Sequence, residues 1–140
     1  MAITVLTNAQ VIVNGVDLSD HASKVTVEDL RATVDVTAFG ATSTAIQKGL
    51  GDAKITVDFF QDFAAGKVHA TLSPLIASTT PFAVEVRPTN AARSTTNPAA
   101  LLTGALLMNY NMVDGQVGAA SAISAEFVNA SQTGMTYPTA

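Results

Sequence analysis

The sequence predicts a mainly β domain, a β-sandwich or barrel of about seven or eight strands with one flanking α-helix. Three observations carry this. Apolar and polar residues alternate in runs such as "KVTVEDL" and "AKITVDFF", the period-2 pattern of strands with one buried face. Asn14-Gly15 and Asp114-Gly115 stand between apolar runs, and such pairs tolerate the positive φ of tight hairpin turns. Only one stretch carries a helical stripe.

Taken in order, "QVIVNGVDLSD" reads as a hairpin or tight turn near Asn14. "KVTVEDL" and "ATVDVTAF" follow as two half-buried strands, close enough in sequence to pair. A polar segment, about Gly40–Asp52, then reads as a long inter-strand loop; loops of this length in compact domains are usually functional or disordered. Ile55, Val57 and Phe59 give "AKITVDFF" one apolar face. In "QDFAAGKVHATLSPLIAS", Val68, Leu72, Leu75 and Ile76 recur at i, i+4, i+7 and i+8. This spacing predicts an amphipathic helix over Phe63–Ser78 with these four residues in the core. Asp62 is a candidate cap, and Pro74 should kink or divide the helix. "PFAVEVRP" is a strand bounded by prolines, and "TNAARSTTNPA" is a loop. "LLTGALLMNYNMV" and "AASAISAEFVNA" are long strands joined across "DGQVG". "SQTGMTYPTA" is a short polar tail, expected to be loose unless a neighbour orders it.

The 140 residues favour a single domain spanning 1–140. No cysteine is present, which excludes disulfides, thiolate metal sites and cysteine catalysis. The N-terminus lacks a basic region and a sustained apolar run, and no stretch approaches the ~18 apolar residues of a membrane span; a soluble protein without a membrane partner is expected. Charged residues are only 13% of the chain, against about 25% in ordinary globular proteins. So few charges predict a surface largely covered by other subunits, as in an obligate oligomer. A net charge of −4 with scattered basic residues argues against nucleic-acid binding, which needs a basic stripe.

Chemistry finds little to use. Asp17, Ser19, Asp20 and His21 lie together in "DLSDH", but short polar residues after a strand commonly serve local turns. His69 has no companion at metal-ligand spacing. "GLGDAK" is neither a dinucleotide loop nor a P-loop. Asp35, Asp58 and Glu126 fall in strands, on faces expected to be solvated. Neither an enzyme nor a cofactor site is expected.

The order of these pieces resembles the tail tube proteins of long-tailed bacteriophages. The resemblance runs from about Val11 to Phe127, through "VDVTAFG", "GLGDAKITVDF", "DFAAGKVHATLSPLI" and "NPAALLTGALLMNYNMVDGQVG". It implies a structural, non-enzymatic protein of the virion, made in the bacterial host cytoplasm. Six copies would form a ring whose inner sheets join into one β-barrel, and rings would stack into a tube for genome DNA ejection. The partners implied are the chain itself, the tape measure, the tail terminator and the distal tail protein, with DNA passing unbound. By position, Thr42, Ser43, Thr44, Ala45, Ile46 and Gln47 correspond to the loop that reaches the next ring. The strands Leu101–Val113 and Ser121–Val128, or Lys24–Ala38, would line or frame the channel. The "VDVTAFG" pattern leans toward the flexible, non-contractile kind of tail. A terminator or distal ring protein of the same fold is the alternative; a non-catalytic β-sandwich binding module is another, disfavoured by aromatics of only 6%.

Overall fold

The alternating runs pair into one antiparallel sheet. A computed structural model describes residues 3–140. Its strands are β1 (Gln10–Val13), β2 (Val16–Asp17), β3 (Ala22–Asp35), β4 (Ile46–Phe60), β5 (Phe82–Arg87), β6 (Ala100–Tyr110), β7 (Ala122–Asn129) and β8 (Met135–Thr136). One helix, α1 (Val68–Ile76), and a 3-10 turn at Ser19–His21 accompany them. The strand order is β2-β1-β5-β6-β7-β4-β3, and β8 pairs with the first half of β6. The fold is thus mainly β with one helix.

Asn14 and Gly15 have φ of 49° and 80°, as a two-residue hairpin turn requires, and Val13 pairs with Val16 across them. β2 and β3 stand at opposite ends of the strand row, yet only Leu18–His21 separates them in sequence. Laid flat, seven strands at ~4.8 Å spacing would hold their ends about 29 Å apart. The five Cα steps from Asp17 to Ala22 span at most about 18 Å. The sheet therefore curls until its ends approach, as an incompletely closed barrel. Leu18, in the connector, is wholly buried.

Register places Val27, Ile55, Phe127 and Leu107 in one row across the sheet, and Val25, Val57, Ala125 and Tyr110 in the next. Ile55, Val57, Ala125 and Phe127 are wholly buried. Phe127 meets Phe82 edge to face, ring centroids 6.0 Å apart, a geometry worth ~0.5–1.5 kcal/mol beyond area burial. Helix α1 adds Val68, Leu72 and Leu75 to the same core.

Several expectations need correction. The two runs "KVTVEDL" and "ATVDVTAF" do not pair with each other; they are one 14-residue strand, because nothing between them turns the chain. Register shifts twice, near Ser23 and where Gly49 and Leu50 oppose Ala32. Of the expected loop 40–52, residues 46–52 are already strand β4, paired along β3. Helix α1 starts at Val68, not Phe63, since Gly66 turns the chain at φ 75°. Asp62 does not cap it; its Oδ1 instead accepts from Ala64 N at 2.9 Å. Ile76 is 42% exposed: at i+8 with 3.6 residues per turn it lies ~80° around the helix from Val68, at the stripe's margin. Pro74 stands inside α1, which ends two residues later. β6 and β7 pair, but residues 111–121 connect them, so no tight turn forms at Asp114-Gly115. The final segment is also tied down: Met135 is buried, Pro138 O accepts from Ala99 N at 3.0 Å, and Tyr137 donates to Asp29 at 2.6 Å.

Candidate assembly surfaces

Strands β3, β4, β7 and β6 lie side by side, and alternation sends every second residue away from the core. Three rows cross this outer face: Lys24, Asp58 and Ser124; Thr26, Thr56, Glu126 and Asn109; Glu28, Lys54, Val128 and Leu106. Lys54 Nζ is 4.0 Å from Glu28 Oε2. Two lysines face three carboxylates, so the face is polar and weakly acidic.

Both sides of this four-stranded unit have open edges. β3 pairs only with β4 among the described residues. On β6, β5 pairs no further than Ala105, so Leu106–Tyr110 have a strand neighbour only in β7. Unpaired edges of this kind template pairing with another chain.

The last β4–β7 pair is Lys54 with Val128. Beyond it, β3 and β4 continue as a two-stranded arm, closed by the loop 36–45. From Leu30 to Asp52 every residue is exposed except the half-buried Gly49. Gly49 is closely approached there: an added Cβ would come 3.1 Å from Ala32 Cβ and from Val34 Cγ2, and these neighbours would have to move by a few tenths of an ångström. Thr42–Ala45 sit in the loop, and Ile46 and Gln47 begin β4. Ala45 is held to the opposite side of the loop: its O accepts from Val36 N at 3.0 Å and its N donates to Thr37 Oγ1 at 2.8 Å. The arm exposes Leu30, Val34, Val36, Phe39, Ile46 and Leu50. The other end of β4 exposes Phe60, and the segments that follow it and that join β6 to β7 expose Phe63, Met112, Val113 and Val117; Gln61 ties the two together through Met112 O and Ser121 O.

The polar cluster is structural in geometry. His21 Nδ1 and Nε2 lie 2.8 Å from Asp20 Oδ1 and Asp62 Oδ2. These bonds, first that to Asp20, raise the His21 pKa above the ordinary histidine value. Ser19 Oγ accepts from Val11 N at 2.8 Å and bonds Asp17, so Ser19 and His21 serve different partners and form no nucleophile–base pair. His69 Nδ1 lies 2.7 Å from Tyr110 Oη, which also accepts from Gln61 Nε2 at 2.9 Å; this docks α1 on β6. Glu85 sits between Arg93 Nε at 2.8 Å and Arg87 Nε at 3.4 Å, and the Arg93 bond chiefly lowers its pKa. Among the described residues, no group of three or more His, Asp or Glu side chains could hold a metal ion, and no helix is long and apolar enough to cross a membrane.

No family model matches the sequence, and no curated protein matches it. Solved structures share the fold, two of them from gene transfer agent particles. A chain of the virion of a native gene transfer agent particle superposes with a TM-score of 0.69 at 9% identity, covering 94% of this chain and 95% of that one. A chain from the tail of an empty gene transfer agent particle, refined helically with C6 symmetry, gives 0.63 at 10% identity, covering 84% and 82%.

Proposed function

We propose that this chain is a tail tube subunit of a phage-like particle, a structural virion protein that forms six-membered rings stacked around a DNA channel. The observation that carries this reading is the four-stranded unit β3-β4-β7-β6, open at both edges and polar on its outer face. Its outermost strands β3 and β6 run in opposite directions, so β3 of one copy can extend β6 of the next and continue the antiparallel order. A ring of six, as in the C6 tail that shares the fold, would join six sets of four strands into a 24-stranded barrel. At ~4.8 Å per strand its backbone circumference is about 115 Å, a diameter of about 37 Å. A strand tilt of ~40° widens the diameter to about 48 Å. Either leaves room for a DNA duplex inside the lining.

The lining would then be the three polar rows. With Lys24 and Lys54 against Glu28, Asp58 and Glu126, it carries a slight excess of negative charge, which lets DNA slide instead of sticking. Polar side chains that perform no chemistry, and apolar ends left exposed in the monomer, suit a subunit whose work is assembly. The tape measure, tail terminator and distal tail proteins are the partners this role implies, and Thr42–Gln47 the segment that reaches the next ring.

Negative-stain microscopy of the concentrated protein, with its mass in solution, tests the reading. Tubes, or six-fold rings that stack, are the expected result. Closed rings that never stack would favour a terminator or distal ring protein. Protein that stays monomeric even when seeded with preassembled tail tips would overturn it.

A further inference from the structure

We infer that the arm docks on the opposite pole of a second copy, in the neighbouring ring, on the apolar rim formed by Phe60, Phe63, Met112, Val113 and Val117. The inference rests on the tube reading, and names the surface that receives the arm.

Strand β4 runs from the arm to Phe60, so arm and rim are the two ends of one strand. A copy displaced along that strand brings its arm onto its neighbour's rim. Such a contact joins unlike surfaces and does not close on itself, so it repeats without limit. Both surfaces have the same chemistry. The segment "VTAFGATSTAIQ", residues 36–47, carries no charge, and "MNYNMVDGQVGAAS", residues 108–121, carries only Asp114. Phe39 and Val117 are fully exposed at their tips. Exposed apolar patches of this kind mark interaction sites.

Size also fits. The arm, Leu30–Asp52, offers 23 residues, nearly all exposed, comparable to the roughly 20–30 residues per side of a standard stable interface. The rim is built in advance. Gln61 Nε2 donates to Tyr110 Oη at 2.9 Å and to Met112 O at 2.7 Å, and Phe63 packs on His69 with ring centroids 5.1 Å apart. Met112, with its flexible side chain, can adjust to the incoming side chains. A rival acceptor is the apolar groove of about 230 Å³ between Val25, Val27, Pro98 and Tyr137. It lies on the side of the barrel, where an occupant would not extend a stack.

The chain has no native cysteine, so cross-links report only on introduced pairs. Tubes of the double variant Phe39→Cys, Val117→Cys, treated with a short bismaleimide, should give a ladder of linked oligomers, and neither single variant should. Val117→Asp and Phe39→Asp, each checked for native circular dichroism, should still form six-fold rings but lose tubes at least about tenfold, because stacking would bury an unpaired charge. A ladder from Phe39→Cys with Tyr137→Cys but none with Val117→Cys would place the arm in the groove and overturn the inference. So would normal tubes from Val117→Asp. Either result leaves the tube reading intact; failure of the unmodified chain to form tubes removes both.

Discussion

His21 lies between Asp20 and Asp62, 2.8 Å from each, and joins the connector that closes the sheet to the segment leading into α1. Its folded pKa is raised, so its contribution is complete below the unfolded value of about 6.5 and is lost as pH rises through the raised value. Asp20 and Asp62 have lowered values, chiefly through the His21 bond and the Ala64 N–H respectively; their contribution is present above the ordinary aspartate range and lost in acid. The urea midpoint of His21→Gln should therefore differ most from the parent near pH 6 and converge as pH rises through the raised His21 value. A constant difference across that range would show that His21 does not act through charge. Asn97 is the other residue on which much local order depends. Buried among the 89–97 turns, its Oδ1 accepts from Thr89 N at 3.0 Å and its Nδ2 donates to Ala91 O at 3.0 Å. Asn97→Ala leaves those groups unmatched and should cost ~1–3 kcal/mol. Faster tryptic cleavage after Arg93 is the companion readout; an unchanged rate would mean the loop is held elsewhere.

At the scale of elements, α1 and the arm behave oppositely. Leu72 is wholly buried, and Leu72→Asp should unfold the protein, an unpaired buried charge costing several kcal/mol; a soluble, natively folded variant would remove Leu72 from the core. Removing Thr42–Gln47 should leave a folded monomer that forms no tubes, and long tubes from that deletion would remove the loop from stacking. Gly49→Val should behave like the deletion, by forcing apart Ala32 and Val34 at the register shift. The β pattern, the Asn14-Gly15 turn and the residues Val68, Leu72 and Leu75 were legible because each depends on local periodicity or turn chemistry. The arm was not. "IQKGLGD" alternates poorly and holds two glycines, so it reads as loop; it becomes strand only because β3 lies beside it. Gly66 set the helix start at Val68, five residues after the Phe63 expected from the sequence. The docking of Met135 and Tyr137 depends on partners far away in sequence, which no window along the chain contains. From the residues alone the candidate assembly surface was legible as a deficit of charge; the resemblance named its strands, and its rows and open edges required the register.

For the whole molecule, assembly through backbone edges and apolar poles should respond weakly to sodium chloride, since few charges are there to be screened. Sodium sulfate should promote it, by strengthening apolar burial; turbidity with microscopy distinguishes tubes from precipitate, and tubes that dissolve in moderate sodium chloride would point to ion pairs instead. Tubes should also fail to retain labelled duplex DNA at low salt, given the acidic excess of the outer face. The arm has a mechanical meaning as well. A ring wall closed by hydrogen bonds along every strand is stiff, whereas a ribbon only two strands wide bends and twists more readily. In a stack of the proposed kind, deformation would concentrate between hoops: each ribbon would act as a leaf spring, and the tube would curve while its bore kept a constant diameter.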